Sequence, residues 1–135
     1  GGQGGWWVLR HRGKIVCVAT MLGFYQLTYL ATMKDERHKG HATFLLNQIR
    51  ERHEQFGFVS AAIYPRLLPL FEKCGWVRPN DRTNKDDSID VVPSYAVSKY
   101  DSLYTTAGRK AMMDKYAGLP LLSATPSAEK LIKEF

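Results

Sequence analysis

Residues 15–22 form an almost unbroken apolar run, from Ile15, Val16, Cys17, Val18 and Ala19 to Met21 and Leu22. A run of that length without polar alternation predicts a strand covered on both faces. Ahead of it, residues 8–10 are strand-like, and the Arg12-Gly13 pair in between predicts a hairpin. Gly23 then turns the chain into residues 24–33, rich in aromatic and β-branched side chains, which read as a further strand. From Thr43 the period changes. Phe44, Leu45, Gln48, Ile49, Arg52, His53 and Phe56 follow helical spacing, with Gly57 as the stop. Residues 58–63 return to strand character, Pro65 breaks it, and residues 67–74 predict a short helix closed by Gly75. Strand, helix and strand in that order predict a right-handed parallel crossover. Residues 79–90 read as a polar, acid-rich loop, and residues 91–100 as a last strand in which Pro93 argues for an edge position or a bulge. Helices over 106–116 and 127–134, the latter capped by Ser127, complete the expectation. The sum is an α/β chain with a mixed central sheet, flanking helices and a helical C-terminal extension.

Composition narrows this picture. The chain has 135 residues, 44% of them hydrophobic and 12% aromatic, which suits one domain with one packed core. Residues 6–100 are expected to form that domain, with 101–135 packed on it; residues 1–5, glycine-rich, read as disordered or tag-like. No apolar run is long enough to span a bilayer, and the start carries no basic region of a signal peptide. Cys17 and Cys74 are the only cysteines, too few for a disulfide framework, so a reducing, cytoplasmic setting is expected. His11, His38, His41 and His53 make no recognisable ligand set with them, and no metal is expected. The net charge is +6, and Arg10, Arg12 and Lys14, with no acid before residue 34, supply about half of it from one hairpin tip. Such a surface concentrates anionic partners.

The candidate chemistry lies at Arg37-His38-Lys39-Gly40-His41-Ala42, between the strand containing Tyr29, Leu30, Ala31 and Thr32 and the helix expected from Thr43. Amides at a helix start lack intrahelical acceptors, and the helix dipole adds positive potential there. Gly40 lets the backbone approach a bulky anion, Ala42 leaves the helix start uncrowded, and Arg37 and Lys39 add charge. The same residues also read as a solvated basic turn that merely begins a helix.

Residues 7–76 resemble, segment by segment, the core of the GCN5-related N-acetyltransferases. Residues 7–19 resemble the family's second and third strands with a glycine turn. Residues 29–46 resemble its fourth strand, its Arg/Gln-x-x-Gly-x-Gly/Ala loop (here Arg37, Gly40 and Ala42) and its third helix. Residues 59–64 resemble its fifth strand, and Leu70-Phe71-Glu72-Lys73-Cys74-Gly75-Trp76 its Leu-Tyr-Glu-Lys-x-Gly-Phe helix ending. The resemblance implies an acetyl-CoA-dependent enzyme that acetylates an amine on a small molecule or protein by direct attack. It implies that the backbone of Leu30, Ala31 and Thr32 pairs with pantetheine. It also implies that Arg37, His38, Lys39, Gly40, His41, Ala42 and Thr43 hold the diphosphate, and that Phe71 lies against the cofactor.

Three departures accompany the match. The strand and two helices with which the family usually opens, whose helices form one wall of the acceptor pocket, have no counterpart: either the chain is shortened, or the C-terminal segment supplies that wall, or the partner of a homodimer does. Phe71 stands where many members carry a tyrosine that protonates the departing thiolate. Tyr64 stands where an asparagine contacting the cofactor often occurs, and its phenol makes it the candidate acid. No Asp, Glu or His lies within residues 24–33, which leaves Gln26 and Tyr29 to orient a water. Two alternatives share the scaffold: a protein that binds or modifies nucleic acid, suggested by the basic hairpin beside Trp6 and Trp7, and a catalytically silent interaction or inhibitory factor, suggested by Phe71.

Overall fold

The structure is a computed structural model that describes residues 4–22, 26–54, 59–78, 87–99 and Asp114. The expected helices at 106–116 and 127–134 lie outside the described residues apart from Asp114, which is helical and exposed.

Strands β1 (Gly4–His11) and β2 (Lys14–Leu22) form an antiparallel hairpin. Arg12 and Gly13 turn it with φ of +54° and +78°, the two left-handed residues of a tight two-residue turn whose twist matches the strands. The hairpin starts inside the glycine run, at Gly4 paired with Leu22. In β2, Val16, Cys17, Val18 and Ala19 are all buried, as a strand with both faces covered requires. β3 (Gln26–Thr32) pairs antiparallel with β2, and a single 3-10 turn (Lys34–Glu36) follows it. Helix α1 (His41–Glu54) buries Leu45, Leu46, Ile49 and His53, one stripe laid on the sheet. It begins two residues before the expected Thr43, because Gly40 at φ +84° ends the turn and its carbonyl accepts the Phe44 amide at 3.0 Å. β4 (Ser60–Ile63) returns parallel to β3, so the strand–helix–strand unit is a parallel crossover.

After a 3-10 turn (Pro65–Leu67) come α2 (Leu68–Lys73), β5 (Trp76–Val77), β6 (Ile89–Pro93) and α3 (Ser94–Lys99). The sheet order is β1-β2-β3-β4-β6-β5. Here the expected strand over 91–100 is corrected. It ends at Pro93, and a helix follows in which the consecutive Tyr95 and Ala96 are both buried, which a half-exposed strand would have alternated. The Ser94 amide donates to the Gly75 carbonyl at 3.0 Å, so the adjacent pair Trp76 and Pro93 is a non-hydrogen-bonded one. The missing N–H of Pro93 therefore faces the β4 side, where pairing has already stopped at Val91.

The core runs from Val16 and Ala19 through Leu46, Ile49 and Val59 to Phe71, Trp76 and Val91. Phe71 meets Trp76 edge to face, with centroids 5.2 Å apart. Burial pushes the thiols of Cys17 and Cys74 above their ordinary range, so both act as small hydrophobes. No helix among the described residues is long and apolar enough to cross a membrane.

His53 gives the core a pH dependence. It is 1% exposed, and burial, followed by the charge of Arg52, lowers its imidazole from 6.5 to about 4. The unfolded chain takes up this proton near 6.5, whereas the folded chain resists it until about 4. Stability is therefore full above the upper value and declines as pH falls through that window, by roughly 2–3 kcal/mol from this group alone. Urea titrations between pH 7 and 4 are expected to show the decline, and H53L to flatten it relative to wild type.

Candidate functional site

β3 and β4 are neighbours for only two residue pairs, Gln26 with Ser60 and Leu27 with Ala61. Beyond them the strands part, β3 running on to Thr32 and β4 to Ile63. The cause lies in β3. Thr20 faces Tyr29 but Met21 faces Leu27, so Thr28 is an extra residue, a bulge that bends the strand and raises its twist. Side chains pin it: the Thr28 hydroxyl donates to the Thr20 carbonyl at 3.1 Å and accepts from the Thr20 hydroxyl at 2.7 Å. With one proton per hydroxyl, that is the arrangement that satisfies both contacts.

The gap is a cleft of ≈ 990 Å³. Tyr29, Leu30, Ala31 and Thr32 form one wall and Ala61, Ala62 and Ile63 the other. Leu67, Leu70 and Phe71 lean in from the α2 side, and Arg37, His38, Gly40, Ala42 and Thr43 close the end where both strands finish. Along its cleft edge β3 has lost its neighbour, so backbone groups from Thr28 onward are available to a ligand. The exception is the Thr32 carbonyl, which accepts the Arg37 Nε–H at 3.2 Å.

Turn 37–40 carries His38 at φ +65° and Gly40 at φ +84°, both left-handed. Among the described residues, the amides from His38 to Thr43 donate to no carbonyl outside α1, and the first helical turn has no acceptor of its own to offer. Nothing lies within 4 Å of where a Cβ of Gly40 would stand. Open space beside unpartnered amides at a helix start is what a phosphate group needs.

The structure divides the expected site residues. Tyr29, Leu30, Ala31, Thr32, Arg37, His38, Gly40, Ala42, Thr43, Tyr64 and Phe71 all line the cleft. Gln26, Lys39 and His41 do not. Gln26 sits at the closed end, paired with Ser60. Lys39 Nζ donates to Glu36 Oε2 at 3.1 Å, and His41 Nε2 lies 3.2 Å from the same oxygen. Glu36, held below the usual carboxylate range by Lys39 and then His41, thus ties the turn together and offsets part of its charge. Phe71 reaches the cleft but is 1% exposed and packed on Trp76. Tyr64 is 59% exposed, with the Arg66 guanidinium 5.5 Å from its ring centre.

Arg66 and Lys73 also face the cleft, and sequence reasoning missed both. Their spacing carries no signal; the 3-10 turn brings in Arg66 and α2 brings in Lys73. With Arg37 and His38 they leave the cleft wall without a carboxylate among the described residues.

No protein-family model and no curated protein matches the chain. Solved structures do. An acetyltransferase from Bacillus subtilis in complex with CoA is similar at 12% identity and a TM-score of 0.56, over 67% of this chain and 76% of that one. A GCN5-related N-acetyltransferase from Rhodopseudomonas palustris is similar at 14% identity and 0.54, over 66% and 60%. The PaiA N-acetyltransferase from Thermoplasma acidophilum, in complex with coenzyme A, is similar at 10% identity and 0.55, over 67% and 60%. At these identities the likeness is one of fold.

Proposed function

We propose that this chain, which has the fold of the GCN5-related N-acetyltransferases, transfers an acyl group, most simply acetyl, from coenzyme A to an amine. The observation that carries the proposal is the continuity of the bulge-opened cleft with the unpartnered amides between His38 and Thr43. The two features fit the two ends of one molecule. A diphosphate meets main-chain N–H groups at the α1 start, and the amide-bearing pantetheine arm runs back along Thr32, Ala31 and Leu30 as an added strand. Arg66 and Lys73 add positive charge toward the phosphate groups.

In this reading the amine nitrogen attacks the thioester carbonyl carbon. The C–N bond forms, the C–S bond breaks, and the thiolate leaves and collects a proton. The chain contributes chiefly by holding the thioester and amine in register and by aiming backbone N–H groups of β3 at the carbonyl oxygen. Tyr29 and Tyr64 are the lining phenols able to give the sulfur a proton. Tyr29 adjoins the bulge where the strands part, and Tyr64 follows β4 at the phosphate end, so Tyr29 is the better placed acid. With no carboxylate in the described wall, the ammonium proton of the acceptor goes to water.

Isothermal titration with acetyl-CoA tests the reading, coupled to thiol release with a panel of amines and amine-bearing peptides. Saturable binding with turnover of at least one amine is expected. Absence of heat at high micromolar ligand would remove the basis of the proposal. Binding with no turnover on any acceptor would instead favour a silent acetyltransferase-like factor, the role for which the buried Phe71, with no proton to give, argues.

A further inference from the structure

The hairpin tip and the 34–39 turn lie far apart in sequence but form one surface. Lys14 Nζ bonds Asp35 Oδ2 at 3.4 Å, and the His11 and His41 rings sit 5.5 Å apart. Arg10, Arg12 and Lys14 from the tip therefore join Lys34, Arg37 and Lys39 from the turn, all exposed, while these two segments carry only the carboxylates of Asp35 and Glu36. The backbone gives a second indication. Arg12 occupies a left-handed turn position for which asparagine or glycine is the low-cost choice. A charged, exposed side chain is held there against local preference.

An apolar anchor, the usual energetic centre of a protein interface, is missing from the tip, where His11, Arg12, Gly13 and Lys14 are all exposed. One aromatic does stand beside the patch. Phe44 is 52% exposed and follows His41, whose ring meets His11 of the hairpin, by three residues, on the solvent-facing side of α1. Cations that track a backbone, next to a free aromatic face, are the elements of single-strand recognition. We propose that this face binds single-stranded nucleic acid, its phosphodiesters on the tip and turn cations and one base stacked on Phe44. Of these residues only Arg37 also lines the cleft; the hairpin tip and Phe44 stand outside its wall, so the proposal is tested there independently of the transferase reading.

Fluorescence anisotropy with a labelled oligothymidylate at low salt tests it, beside a duplex of equal length, polyglutamate, and acetyl-CoA titrated calorimetrically. Oligothymidylate is expected to bind more tightly than the other polyanions, with a log–log salt slope of about −2 to −3 for three or four phosphate contacts. The R10Q/R12N double variant is expected to weaken binding about tenfold or more and to reduce the slope by about 1.4, leaving acetyl-CoA binding unchanged. R12N alone should melt a few degrees higher while binding the oligonucleotide less well, which separates lost charge from lost folding. F44A should cost about tenfold on the single strand and leave the duplex alone. The proposal is overturned by undetectable binding at low salt, by a double variant that binds oligonucleotide like wild type or loses acetyl-CoA instead, or by polyglutamate or duplex binding as tightly as the single strand.

Discussion

Replacing Gly40 by valine is expected to cut acetyl-CoA affinity at least about tenfold while the fold stays intact. Gly40 holds φ +84°, and a β-branched residue in that region is a severe outlier. Its Cβ would meet no protein atom within 4 Å, so the penalty lies chiefly in the backbone rather than in a clash. A left-handed L-residue costs about 1–2 kcal/mol, and a factor of ten in affinity is about 1.4 kcal/mol. The turn would relax to negative φ and swing its amides away, or keep its shape and fill the space a phosphate needs. Either route weakens the ligand. Calorimetry with acetyl-CoA reads the loss, and a thermal melt within a few degrees of wild type shows that the chain still folds. Undiminished affinity in G40V would mean that the diphosphate is not held at this turn.

Trp76→Ala is expected to destabilise the chain by about 3–5 kcal/mol, a large part of the roughly 5–15 kcal/mol a domain possesses. Trp76 is 1% exposed, and Phe71 presses its ring against it. The loss reaches the cleft as well, because Phe71 is part of its wall and would settle into the vacated space. Urea unfolding should show a lower midpoint at unchanged slope. V8A, at a position 43% exposed on β1, serves as the control and should stay within about 0.5 kcal/mol. A W76A protein as stable as wild type would contradict the packing described for β5 and α2.

Those two positions also mark what could be read from the chain directly. β2 was legible to its last residue, because a continuous apolar run and a left-handed turn are local signals. Gly40 and the helix after it were legible for the same reason. The bulge at Thr28 was not, since it exists only in the pairing of Met21 with Leu27 and Thr20 with Tyr29. Trp76–Val77 is too short a strand for any periodicity to declare, and Ser94–Lys99 reads as strand because its valine and tyrosine favour one, a preference that burial of Tyr95 and Ala96 in a helix overrides. Arg37 lines the cleft, but the bond by which its Nε also anchors the turn to the Thr32 carbonyl is a choice among hydrogen-bond acceptors that composition does not encode.

The pairing of β3 with β4 through Gln26–Ser60 and Leu27–Ala61 alone divides the sheet along a seam with two rungs. Three strands stand on one side of it and three on the other, with α1 as the covalent link across. A guest whose own amides bond to β3 would stitch that seam by supplying the absent rungs, and so would stiffen both halves together. Occupancy should then register in amide hydrogen exchange on either flank, well beyond the atoms the guest touches.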